Sequence, residues 1–215
     1  MIGYHASWFA NDAGLVAIDF EAVGWRVYQR AVAGTFFFLV GVSTQLAGSR
    51  GFRPFALRCA RVAGCSIVVT LTSVVLDPTR VVTFGILQAI TVCSLIAWPL
   101  RRLNLGAALG GLVLIAATAV HDPRFSAPAL AWTGLGATVA PTFDFQPLVP
   151  WLGVVLLGLA AGSHLAALPK TLGSPLCGSE HFRALRAIGR HSLFVYMAHV
   201  PVLGGIMQIL ARMRS

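Results

Sequence analysis

The run Thr35–Ala47, TFFFLVGVSTQLA, carries no charge, and Arg50, Arg53, Arg58 and Arg61 follow it closely. The same design recurs in VAGCSIVVTLTSVVL (residues 62–76) and GVVLLGLAAG (residues 153–162). Such runs approach or reach the roughly 20 apolar residues that cross a bilayer. A soluble core helix would be flanked by polar stretches, whereas the polar stretches here are brief loops. Only 11% of the 215 residues are charged, against about 25% in a soluble domain. The chain therefore reads as an all-α polytopic membrane protein.

The net charge of +9 invites a nucleic-acid reading, but the placement of the charges argues against one. Arg101 and Arg102 follow another apolar run, and Lys170, Arg183, Arg186 and Arg190 lie between the last two. Every acid except Glu180 (Asp12, Asp19, Glu21, Asp77, Asp122 and Asp144) falls in an alternate loop. A nucleic-acid footprint would be one contiguous basic patch. Alternation along the chain is instead the signature of the positive-inside rule. It places the loops at 48–58, 99–104 and 169–191 in the cytoplasm, and those at 11–24, 77–80 and 121–149 outside. Arg212 and Arg214, at the outward end of the last span, run against the pattern.

Six spans are expected, at Trp25–Ala47, Cys59–Leu76, Val81–Trp98, Leu105–Val120, Pro150–Leu168 and Ser192–Ala211, with a partial helix before them. Proline, glycine, aspartate or arginine clusters bound each one. The pairs Gly106/Gly110 and Gly158/Gly162 have the GxxxG spacing of close helix packing. The outward segment 121–151 holds five prolines yet is rich in Trp, Phe and Leu. It is expected to lie at the interface or fold back over the bundle, as a candidate lid. Four cysteines show no CxxC spacing, and no HExxH or i, i+4 histidine pair occurs, so no metal centre is expected.

Polar groups inside a membrane are costly and mark functional candidates. His5, Asn11 and Asp12 cluster at the outer boundary, with Asp144 before the fifth span. Gln88 lies inside the third span, and His199 is eight residues into the last, roughly 12 Å down a helix. A histidine there can act as general base or acyl acceptor, its ring oriented by a carboxylate.

The segments YHASWFANDAGL (4–15), FFFLVGVSTQLA (36–47), TFGILQAI (83–90), PTFDFQPLVPWLGVVLLGLAAG (141–162) and GRHSLFVYMAHVPVL (189–203) together resemble bacterial members of the heparan-α-glucosaminide N-acetyltransferase family. The resemblance implies a multi-helix membrane enzyme that takes acetyl from cytosolic acetyl-CoA and delivers it to an amino sugar on the far side. In that family a histidine at the far-side end of an early helix is implicated in the transfer, and His5 matches it by motif. Family members begin with a full helix before this motif, so the chain is expected to be N-terminally shortened. Gln88 stands where relatives often carry histidine; it can hydrogen-bond but cannot hold a proton or an acetyl group.

The expectation is one acyltransferase-like domain, residues 1–215, in the bacterial inner membrane. His5 would be base or transient acetyl carrier, with Asp12 or Asp144 orienting it. Asn11, Gln88 and His199 would contact the acceptor, a sugar or glycan. Arg58, Arg101 and Arg102 would meet the phosphates of acetyl-CoA, although each also suits a plain topology anchor. Partners are then the lipid bilayer, acetyl-CoA and the acceptor, with homo-oligomerisation left open. The rival is a non-catalytic carrier or a subunit of a glycan-export system.

Overall fold

The computed structural model describes residues 1–127, 129–138, 142–167, 189 and 191–214. Its described elements are helical: α1 (Ile2–Asp12), α2 (Val23–Ala47), α3 (Phe52–Leu76), α4 (Ile86–Leu100), α5 (Leu105–Ala116), α6 (Leu148–Ala167) and α7 (Ser192–Arg214), with short 3₁₀ turns between some of them. Segments 23–50, 52–76, 148–167 and 192–213 are long and apolar enough to cross a membrane. The 15 residues of α4 and 12 of α5 span only about 22 and 18 Å at 1.5 Å per residue, short of the ~30 Å hydrocarbon core. The expected basic loop at 169–191 lies outside the described residues, apart from Gly189 and His191.

The chain divides into two compact units, residues 34–168 and residues 1–33 with 169–215. Within the first, α3 shows how sequence selects a membrane helix. Its buried residues Phe55, Cys59, Ser66 and Ser73 recur at intervals of four and seven residues, so they line one face. The remainder is apolar and outward: Val75 is 83% and Leu71 61% exposed, a surface that lipid covers and water would not tolerate. Ser66 and Ser73 spend their hydroxyls on the Ala63 and Thr70 carbonyl oxygens, both at 2.8 Å. Between the α2 and α3 helices, Gly51 turns the chain with φ +88°, a conformation that costs glycine little.

Glycine governs the packing of α6. A Cβ on Gly41 of α2 would press on the Val155 carbonyl oxygen and lie 2.7 Å from the Leu159 nitrogen. One on Gly158 would meet the Phe38 carbonyl, and one on Gly162 the Gln45 Cβ at 2.8 Å. The expected GLAAG pair thus lies in a helix contact, where the lack of side chains lets backbones approach. Phe37 stacks on Trp151 beside it, ring centres 5.0 Å apart. The α5 pair behaves differently. Gly106 and Gly110 are loosely surrounded, and the close contact is instead Gly111 against Gly153, where either Cβ would come within 2.7 Å of the other's carbonyl oxygen. Spacing identified the helix but not its buried face.

Contacts order the helices of this unit. Phe37 with Trp151 and Gln45 with Gly162 make α2 and α6 parallel, whereas Phe55 with Trp98 and Thr70 with Gln88 make α3 and α4 antiparallel. The Arg101 side chain lies against Gly48, so the basic turns after α2 and α4 share one end. At the other end, Phe143 N–H donates to Arg80 O and Gln146 N–H to Phe84 O. The connection before α4 and the one before α6 therefore share the opposite end, as the charge pattern requires.

That pairing also corrects the third span. Residues 81–85 are not helical, and α4 starts at Ile86 rather than Val81. The Val82 N–H and C=O are taken by Ser73 Oγ and Thr70 Oγ1, at 2.9 Å each, which leaves no partner role for a helical turn. The 121–149 segment does fold back: Trp132 packs on Phe84, and Gly134 lies against Pro147 and the Val149 carbonyl.

Candidate functional site

In the unit formed by residues 1–33 and 169–215, α1 and α7 pack in parallel, His5 facing His199 and Phe9 facing Gly204. The His5 and His199 ring centres are 5.0 Å apart at 62°. His199 is buried, and its Nδ1 meets the Tyr196 carbonyl oxygen one turn earlier. Tyr4 sits edge-on to His5 and against Trp25, and Trp25 stacks on Phe20 and Tyr28. Two buried polar atoms in this unit, Trp25 Nε1 and His199 Nε2, have no hydrogen-bond partner. Unmade buried hydrogen bonds are uncommon.

The structure thus brings His5 and His199 together, but not His5 and Asp12. Asp12 ends α1, about 10 Å further along the axis, is exposed, and makes no hydrogen bond or ion pair with His5. Asn11 closes the following loop, its Oδ1 accepting the Ile18 N–H at 2.7 Å.

Asp144 and Gln88 meet in the other unit, around the N-terminus of α4. Gly85 occupies the cap position and has no side chain to satisfy the first free N–H groups of the helix. Asp144 Oδ2 takes the Ile86 N–H at 2.7 Å, from 58 residues away. Gln88 Oε1 accepts the Gly85 N–H at 3.1 Å, and its Nε2 donates to Thr70 Oγ1 at 2.9 Å. Gln146 Nε2 donates to the second Asp144 oxygen at 3.2 Å. Burial raises the Asp144 carboxyl above its ordinary range, and these two donors only partly offset it. A depression of about 390 Å³ opens nearby, lined by Thr83, Phe84, Val92, Ala131, Trp132 and Phe145. The described residues that line it carry no titratable group.

The three arginines lie at the basic end of the same unit. Arg58 Nη2 donates to Ser43 Oγ at 3.1 Å. Arg101 lies over the Trp98 ring, 4.1 Å from its centroid, and donates to the Trp98 carbonyl oxygen at 2.7 Å. Arg102 is exposed. Each guanidinium has five N–H donors, so the bonds seen leave capacity for an anion.

Long apolar helices with lipid-suited faces define a multi-pass membrane protein, in which one unit holds a histidine pair and the other a carboxylate at a helix terminus. The profile of one family, described as "Heparan-alpha-glucosaminide N-acetyltransferase, catalytic", matches residues 1–201, and the chain belongs to that family of membrane acetyltransferases. No curated protein and no solved structure matches the chain.

Sequence reasoning overlooked Thr70 and Ser73, which anchor the 81–85 segment, and the Tyr196 carbonyl that holds His199. Thr70 and Ser73 carry a weak signal, being hydroxyls three residues apart in an otherwise apolar run. A backbone carbonyl carries none.

Proposed function

We propose that this chain, acting as one catalytic domain in a bacterial inner membrane, transfers acetyl from cytosolic acetyl-CoA to an amino sugar or glycan outside. The observation that carries the reading is the His5–His199 pair, held by parallel helices in a chain of an acetyltransferase family. Coenzyme A is too polar to cross the hydrocarbon, so its thioester must meet the acceptor through groups inside the bundle. A neutral imidazole suits that position, since its bare nitrogen can take a proton or an acetyl group. His5 is the base or transient acetyl carrier. The donor enters from the end bearing Arg58, Arg101 and Arg102, whose guanidinium groups suit phosphate. Asp144 and Gln88 hold the α4 terminus, and Asn11 and Asp12 line the acceptor side.

The test is transfer from labelled acetyl-CoA to glucosamine-type acceptors by the full chain in nanodiscs. His5→Ala is expected to reduce turnover by about 10²-fold or more, the usual worth of lost acid–base assistance. Activity within about twofold of the parent, on that same scale, refutes the role of His5.

A further inference from the structure

His199 sits eight residues into α7 and is 7% exposed. The Tyr196 carbonyl oxygen beside its Nδ1 can only accept, so Nδ1 carries the hydrogen. In the neutral ring Nε2 is then a bare lone pair, and that atom is buried without a partner. Among the described residues, the nearest titratable ring is His5, with centres 5.0 Å apart. Two imidazoles joined by an N–H···N bond of about 2.9 Å have their ring centres at roughly this separation.

We infer that His199 is the proton acceptor for His5, the two rings sharing one proton between a His5 N–H and His199 Nε2. The inference rests on His5 handling the acetyl transfer proposed above. The amine nitrogen of the acceptor bonds to the thioester carbonyl carbon, and the C–S bond breaks with its electron pair going to sulfur. One His5 nitrogen takes a proton from the amine while the other releases its proton to His199 Nε2. His199 then returns that proton to the same His5 nitrogen as the other His5 nitrogen passes the amine proton to the thiolate, so amide and thiol form and both rings regain their starting tautomers. Where the acetyl group rests on His5, the same N–H proton passes to His199 as the C–N bond forms and the thiolate leaves. Two adjacent imidazoles resist double protonation, which keeps one ring available as the acceptor. Among the described residues, Tyr196 of α7 and Tyr4 of α1 face the pair. No carboxylate among the described residues is paired with either ring.

Nitrogen NMR of the full chain in detergent micelles, with ¹⁵N-labelled histidine, reads the arrangement directly. The expected result is a His199 ring protonated at Nδ1, a nitrogen–nitrogen coupling to His5 across the shared proton, and a His199 titration curve that changes in His5→Gln. A His199 ring protonated at Nε2, or a curve identical in the two proteins, overturns the inference. His199→Asn supplies the second arm, because its amide can still donate to the Tyr196 carbonyl but offers no base at the Nε2 position. Turnover is expected to fall about 10²-fold at unchanged KM and near-unchanged thermal midpoint. Full turnover in this variant also overturns it. A shared proton in a chain that acetylates no amine refutes the transferase role of His5 and leaves the proton-sharing pair supported.

Discussion

Replacing Gly41 by alanine tests whether the close approach of α2 and α6 holds the larger unit together. The new methyl would press on the Val155 carbonyl oxygen, with the Leu159 nitrogen at 2.7 Å and the Gly158 carbonyl carbon at 2.9 Å. All three are backbone atoms of α6, so no rotamer change relieves the clash and the helices must separate. Overpacking costs about 1–3 kcal/mol, and an obstacle made of backbone belongs at the upper end. At about 2–4 °C per kcal/mol for a chain of this size, the thermal midpoint should fall by roughly 5–10 °C. Gly64→Ala in α3 is the matched control, since nothing lies within 4 Å of its added methyl. Alanine is favoured over glycine inside a helix by about 1 kcal/mol, so this control should be neutral or slightly stabilising. Gly110→Ala, whose nearest neighbour is Leu156 Cδ1 at 3.9 Å, should behave like the control despite its GxxxG position. The assay is tryptophan fluorescence during thermal unfolding in a mild detergent. A Gly41→Ala protein as stable as Gly64→Ala would refute the packing argument.

Two further outcomes concern the ends of the bundle. Because burial raises the Asp144 carboxyl, the fold favours its neutral form. Stability should therefore decline as pH rises from the ordinary carboxylate value through the raised one, and Asp144→Asn should flatten that slope in thermal midpoints taken from about pH 4 to 7. Asp144→Ala, which leaves the Ile86 N–H bare, should cost about 1 kcal/mol at the acid end of that range and less as pH rises. In a background lacking the native cysteines, single cysteines at 50 and 102 should react with an impermeant thiol reagent from one face of the membrane, and those at 79 and 137 from the other. Labelling of 50 and 79 from the same face would refute the helix order.

The long spans were legible because their boundaries are local: apolar runs stop at Arg50 to Arg61, at Asp77 and at Pro150. The start of α4 was not, because residues 81–85 read as apolar and lose their helix only to hydroxyls of Thr70 and Ser73 and to the 142–146 backbone. Glycine spacing found α5 and α6 but missed Gly111 and Gly153, since interval alone does not say which face a neighbour covers. In the candidate site, an aspartate before α6 and a glutamine inside α4 were visible as polar groups in apolar surroundings. Their pairing with the N–H groups of Ile86 and Gly85 was invisible, because it joins positions far apart in the chain through backbone atoms that every residue shares. His5 and His199 stood out for the same compositional reason, but only the parallel packing of α1 and α7 makes them neighbours.

The carboxylate that closes the first turn of α4 arrives late in synthesis. The Ile86 N–H and the Asp144 oxygen are 58 residues apart, about 3–12 seconds of translation at 5–20 residues per second. During that interval α4 is a short apolar segment with an open end, under-length for the bilayer and without the acceptor that its first N–H needs. The residues from 101 to 143 must emerge, and the segment before α6 must return to the side where α4 began, before the terminus is sealed. The first turn of α4 is thus completed by a side chain that is made well after the helix itself.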